Sequence, residues 1–204
     1  MIFDDKKIIF IGPLGNPADN IVNQYDIVVR TNNFFSIDKD ILKSERCDIL
    51  IVNTLFSKNY SELIENNIDK VKFILAKNRY TYDILLKKIN AIYHDKIIYM
   101  SYFSHKMLCQ IKKQPLLVSI FIAYITQYFT PSLLYFTGFN FYKSNDVEKF
   151  WLPGYETNLS LKFNVLKLDK DNHDIQSNID LFITYLNSYN WIKCDLEIQK
   201  IINS

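Results

Sequence analysis

Short apolar runs alternate along this chain with segments whose apolar residues recur every three or four positions. The runs Lys7 to Ile11, Asp26 to Arg30, Asp48 to Val52, Val71 to Ala76, Lys96 to Met100 and Leu133 to Thr137 have strand length and strand composition. Between them, Ser61 to Asp69 opens with a serine four positions before Glu65. Thr81 to Tyr93 sets Ile84, Leu85, Ile89 and Ile92 along one helical stripe. Leu116 to Phe129 is apolar all round, as a helix buried against a sheet would be, and Ile175 to Leu186 is periodic again. Strands alternating with helices predict an α/β fold: a single Rossmann-like domain over residues 1–204, with a mostly parallel twisted sheet and helices on both faces. Two segments stand apart from this pattern. Residues 139–160 are polar and aromatic, the composition of a lid loop. Residues 190–204 place Trp191, Ile192, Leu196, Ile201 and Ile202 among charges, for packing on the core or for touching a partner or membrane face.

Composition narrows the class without naming a function. Apolar residues are 49% and aromatics 15%, with few Gly and Pro, which excludes disordered and collagen-like chains. A net charge of +2 and the lack of a basic motif argue against a nucleic-acid partner. Three widely spaced cysteines without a CxxC indicate neither a disulfide framework nor a zinc cluster, and fit a reducing, cytoplasmic setting. The five or so apolar residues after Lys7 are too few for a secretion signal. The uncharged stretch from Gln114 to Tyr142 is interrupted by Gln127, Thr130, Pro131 and Ser132. It therefore reads as a buried helix and a buried strand, not a membrane span.

Parallel sheets bind ligands at the C-terminal ends of their strands. Here those ends supply Gly12, Gly15 and Asn16, then Arg30, Thr31, Asn32 and Asn33, then Asn53 and Thr54, and after the sixth strand Gly138, Asn140 and Tyr142. Asparagine both donates and accepts, which suits ribose, base edges and phosphate, so this amide-rich rim predicts a nucleotide site with Gly12, Gly138 and Arg30 in it. GPLGNP is not the GxGxxG of dinucleotide enzymes, and Arg30 and Thr31 stand where those enzymes carry an acid. Each of two DKD triplets, 38–40 and 169–171, offers a divalent cation too few oxygens. The first falls where a helix is expected to begin, and capping accounts for it.

Three blocks carry a family resemblance. GPLGNP…YDIVVRTNN resembles the large sialylmotif of family 29 sialyltransferases and is similar to the family 42 bacterial sialyltransferases. LLYFTGFNFY resembles the strand and G-[IF]-D-F-Y segment of family 42, and NHDIQSNIDLFITYL resembles its C-terminal catalytic histidine and following helix. The blocks run in family order from about Lys7 to Leu186. The resemblance implies a metal-independent glycosyltransferase that needs no cofactor beyond its donor, a CMP-sugar of sialic acid type. The acceptor would be a glycan or lipid-linked glycan, reached from the cytoplasm or the inner membrane face. Gly15 and Asn16 would approach phosphate and ribose, Asn32 and Asn53 would bind CMP, and Tyr155 on the lid would contact phosphate beside Arg30 and Lys143. His173 would be the catalytic base, oriented by Asp174 or Asp171. Two positions depart from the pattern. The small Thr/Ser-Gly turn is replaced by QPLLVS, leaving Ser119 to supply its hydroxyl or to cap its helix. Asn140 stands in place of an aspartate. Related Kdo transferases need that aspartate for a retaining reaction, which an amide cannot perform. A catalytically inactive nucleotide- or glycan-binding relative is the alternative of a different class.

Overall fold

Each of the six apolar runs forms a strand: β1 (Lys7–Ile11), β2 (Ile27–Thr31), β3 (Ile49–Val52), β4 (Phe73–Ala76), β5 (Ile97–Tyr99) and β6 (Leu133–Thr137). This is seen in a computed structural model that describes residues 2–53, 60–101, 108, 111–143 and 173–203. A strand that the hydrophobic pattern did not announce, β7 (Ile192–Cys194), joins the sheet, which among the described residues has seven strands in the order β5-β4-β3-β2-β1-β6-β7. All six ladders between them are parallel. Strands buried on both faces need near-continuous apolar sequence; β1 and β3 have it, and β2 has it up to the buried Arg30 and Thr31.

Alternate residues serve two layers of helices. Ile8, Phe10, Val29, Ile51, Leu134 and Phe136 face one side, where they pack with α4 (Leu117–Tyr128) and α5 (Ile175–Ser188). On the other side Ile9, Ile11 and Val28 meet Val22 of α1 (Asp19–Val22). Leu50, Val52, Ile74 and Ile97 meet Ile64 of α2 (Tyr60–Glu65) and Leu85 of α3 (Arg79–Lys88). The fold is therefore a Rossmann-like α/β domain. The uncharged stretch resolves into α4 and β6, and no helix among the described residues is long and apolar enough to cross a membrane.

Element ends depart from the sequence reading where a cap intervenes. The helix expected from Thr81 starts at Arg79, because Asn78 accepts the Thr81 amide at 2.8 Å. It stops at Lys88, and Asn90 caps a separate 3₁₀ turn, Ala91–Lys96. The triplet 38–40 begins no helix: Asp38 accepts the Asp40 amide within a turn. The C-terminal segment is structural. It holds β7 and α6 (Leu196–Ile202), which bury Ile192, Cys194 and Ile198 in the main core.

The chain steps outward from β1 to β5, then returns to place β6 on the other side of β1, so strand order reverses between β1 and β6. At that point three glycines pack backbone on backbone. A Cβ on Gly12 would lie 2.6 Å from the Gly138 carbonyl oxygen, and one on Gly138 would overlap the Gly15 backbone. Gly138 also has φ +74°, a conformation that costs an L-residue about 1–2 kcal/mol. Adding the overpacking, Gly138→Ala is expected to destabilise the fold by about 3 kcal/mol or more, read as a lowered urea midpoint at unchanged m-value.

Candidate functional site

The turn after β1 was expected to approach a phosphate, but its amides are already engaged. Gly12 donates to Thr137 at 2.8 Å, Leu14 to Gly138 at 2.9 Å and Gly15 to Gly12 at 3.0 Å, while Pro13 has no N–H. The glycines are needed because the β6 loop presses against this turn. That contact occupies the space and the donors a phosphate would use. Asn16 is also committed to the scaffold: its Nδ2 donates to the Ile41 carbonyl at 2.9 Å and its Oδ1 accepts the Lys43 amide at 2.8 Å.

Arg30 corrects the reading in the same way. Its side chain is buried, with 2% of the residue exposed, on the α1–α3 side of the sheet rather than out at the rim. It donates to the carbonyls of Gly15 (3.2 Å), Ser44 (3.0 Å) and Arg46 (3.4 Å), and its guanidinium lies 4.5 Å from the centre of the Phe34 ring. It holds the β1 turn to the loop before β3 instead of reaching a ligand. Burial lowers its pKa to about 10, and burial raises that of the neighbouring Cys47 thiol to about 12.

Other rim residues do come together. Asn32, with φ 43°, accepts the Asn53 amide at 2.9 Å, so the ends of β2 and β3 are joined by the asparagines expected to bind the nucleotide. In the β3–β4 register Val52 lies opposite Ala76, which sets Asn53 beside Lys77. Lys77 is 4% exposed, and its amide donates to Val52 at 2.9 Å. The sequence reading missed it, although a lysine directly after FILA was a visible signal of a cation at a strand end.

A second group gathers at the same edge. His173, 9% exposed, is hydrogen-bonded through Nδ1 to the Gln114 carbonyl, and its ring lies parallel to that of Tyr142 at a centroid distance of 6.3 Å. Asn140 is in the same loop and accepts the Tyr142 amide at 3.1 Å. Tyr142 packs against both the α4–α5 core and the core containing Phe34 and Val52, so this loop crosses the C-terminal edge of the sheet. Gln114, rather than Asp174, holds the histidine. The Asp174 carboxylate caps α5, and hydrogen bonds from the Ser177 hydroxyl and amide lower its pKa.

Ser119 neither caps α4 nor faces the rim. It is buried and donates to Asn178 Oδ1 at 2.6 Å. Lys143 is exposed, with Nζ 3.4 Å from the Ile201 carbonyl oxygen. Behind Gly138, Asp195 accepts the Thr137 hydroxyl at 2.6 Å and caps α6, another role the sequence reading missed. Thr54, Tyr155, Asp169, Asp171 and most of 139–160 lie outside the described residues. Among the described residues no cluster of three His, Cys, Asp or Glu is arranged for a metal ion.

Protein-family models, curated proteins and solved structures give no match to the chain. The assignment of chemistry therefore rests on the residues themselves.

The buried pair Arg30 and Cys47 makes stability depend on alkaline pH with opposite signs. Cys47 keeps its proton in the native state to about 12, whereas an unfolded thiol loses it near its ordinary value of 9.0, so its contribution is full below pH 9 and falls as pH rises to 12. Arg30 gives up its proton at about 10 when folded and only at its higher ordinary value when unfolded, so it adds stability only above about pH 10. Between pH 9 and 10 the thiol acts without that offset. Cys47→Ala is expected to flatten the fall in urea stability there by up to one proton.

Proposed function

We propose that this protein is a glycosyltransferase that moves an acidic ulosonic sugar of sialic acid type from a CMP-activated donor to a glycan hydroxyl, inverting the anomeric centre with His173 as general base. The observation that carries the proposal is the placement of His173. Its ring is buried at the C-terminal edge of a parallel sheet, and Nδ1 faces a carbonyl oxygen. A carbonyl can only accept, so Nδ1 carries the hydrogen and Nε2 of the neutral ring is the basic nitrogen. Two of the blocks that resemble sialyltransferases end at this same edge, after β2 and after β6, and the third begins there, at the start of α5.

In this reading the acceptor oxygen attacks the anomeric carbon as its proton passes to Nε2, and the bond from that carbon to the CMP phosphate oxygen breaks. Charge grows on the phosphate, and donors placed in advance near that position lower the barrier. Lys77, Asn32 and Asn53 are the described candidates for that role, with Tyr155 from the resemblance. Arg30 acts beneath them by holding the β1 turn. Asn140 has no nucleophilic oxygen, so a retaining Kdo-type reaction through this position would need aspartate there. The occupied amides of the β1 turn and the buried Ser119 favour a second reading, a nucleotide- or glycan-binding relative without activity. The buried free thiols Cys47 and Cys194 suit a reducing compartment, with a soluble or lipid-linked glycan acceptor on the cytoplasmic side.

Calorimetric titration with CMP, against UMP, GDP and NADH, tests the donor class. Selective CMP binding that persists in EDTA is expected. His173→Ala is then expected to lower transfer from CMP-sialic acid by about 10²–10⁴-fold while CMP affinity stays within a few-fold. CMP binding without transfer by the wild type would select the inactive relative, and no CMP binding would overturn the proposal.

A further inference from the structure

The deepest polar side chain of the α4–α5 interface lies one helical turn beyond His173. Asn178 has no exposed surface, and its amide is committed at both ends. Oδ1 accepts the Leu116 amide at 2.9 Å and the Ser119 hydroxyl at 2.6 Å, and Nδ2 donates to the Asp174 carbonyl at 2.7 Å. Leu116 is the N-cap position of α4 and its side chain makes no capping hydrogen bond, so Asn178 takes up a backbone donor at a buried helix start. The burial is compensated because the amide is paired on both sides, whereas an apolar side chain here would leave the Leu116 amide and the Ser119 hydroxyl without that acceptor.

These bonds bear on the histidine because the same two segments meet again nearby. His173 bonds to the carbonyl of Gln114, and Asn178 bonds to the amide of Leu116. Only Pro115 separates those partners, and its ring fixes one of the two backbone torsions between them. On the other segment, Asn178 Nδ2 and the Asn178 amide both donate to Asp174, the residue next to His173. Residues 114–116 and 173–178 thus form a closed clasp with the imidazole at one end and Asn178 at the other.

The geometry points to Asn178 as a positioning residue that keeps the His173 ring in its Nδ1–H tautomer by tying residues 114–116 to the start of α5. This rests on the proposed role of His173 as base. Nε2 can take a proton only while Nδ1 carries the ring hydrogen, and the Gln114 carbonyl imposes that choice only while its distance and direction are held. Ser119 has a part in the clasp: its hydroxyl uses the second lone pair of Asn178 Oδ1. That gives a physical reason for a hydroxyl at this position that involves no ligand.

The test uses the whole chain and two variants, Asn178→Leu, which keeps similar volume and removes every side-chain hydrogen bond at this position, and the milder Ser119→Ala. Long-range ¹⁵N–¹H spectra read the tautomer of His173, whose signals are identified by their loss in His173→Ala. The wild type is expected to show Nδ1–H. Asn178→Leu is expected to show a mixture with Nε2–H and a kcat lowered by about 10–100-fold, a part of what a general base supplies, with KM within about two-fold. A folded Asn178→Leu protein with the wild-type tautomer and kcat would overturn the inference, as would Nε2–H in the wild type. Should Asn178→Leu fail to fold, Ser119→Ala decides: a partial shift of tautomer and kcat in the same direction supports the clasp, and wild-type values of both overturn it. If the tautomer shifts in Asn178→Leu but the wild type transfers no sugar, the clasp stands and the transferase reading falls.

Discussion

The approach of one backbone to another at the point where strand order reverses is the constraint on which the rest of this structure depends. Gly12, Gly15 and Gly138 lack the atoms that would keep the β1 and β6 loops apart, and the loops close until Leu14 donates to Gly138 at 2.9 Å. Doubly wound sheets ordinarily open a crevice at this place. Here the crevice between these two loops is filled by the chain itself. Arg30 ties the β1 turn to the loop before β3, and Asp195 receives the Thr137 hydroxyl and the Gly138 amide from the other side. The polar groups suited to a ligand therefore lie outside the closed seam. One set is the row Asn32, Asn53 and Lys77, and the other is the group Asn140, Tyr142 and His173.

The sheet was legible in the sequence because a strand buried on both faces must be apolar at nearly every position, as β1 and β3 are and as β2 is up to Arg30. β7 was not legible, since three residues at an edge, with Lys193 exposed between Ile192 and Cys194, make no run. The site divides similarly. A glycine-rich turn followed by an R-T-N-N strand end announces an irregular, polar edge, but a missing Cβ reads the same whether the space is for a phosphate or for another loop. Which way Arg30 and Asn16 point depends on loops 14–16 residues away for the first and 25–27 for the second, and single-residue patterns carry nothing about those distances. His173 was found through resemblance. Its actual holder, Gln114, could not be, because the contact is to a backbone carbonyl 59 residues earlier and any residue type supplies one.

The loop after β6 shows what local conformation costs near the proposed base. Phe141 and Tyr142 both have positive φ, 52° and 56°, which for residues with side chains costs about 1–3 kcal/mol each. Such a loop persists only where its surroundings determine it. Phe141 is buried edge-on against Phe139 and Phe182, and Asn140 accepts the Tyr142 amide, so the tyrosine ring is delivered parallel to the imidazole. An aspartate at 140 could accept that amide equally well, so the turn itself does not require the amide side chain. The difference lies in charge. A carboxylate here would add a negative charge to the loop that packs on His173, whereas asparagine keeps the loop without one. Asn140 therefore keeps the turn that delivers Tyr142 to the imidazole while bringing neither a charge nor a nucleophilic oxygen to it.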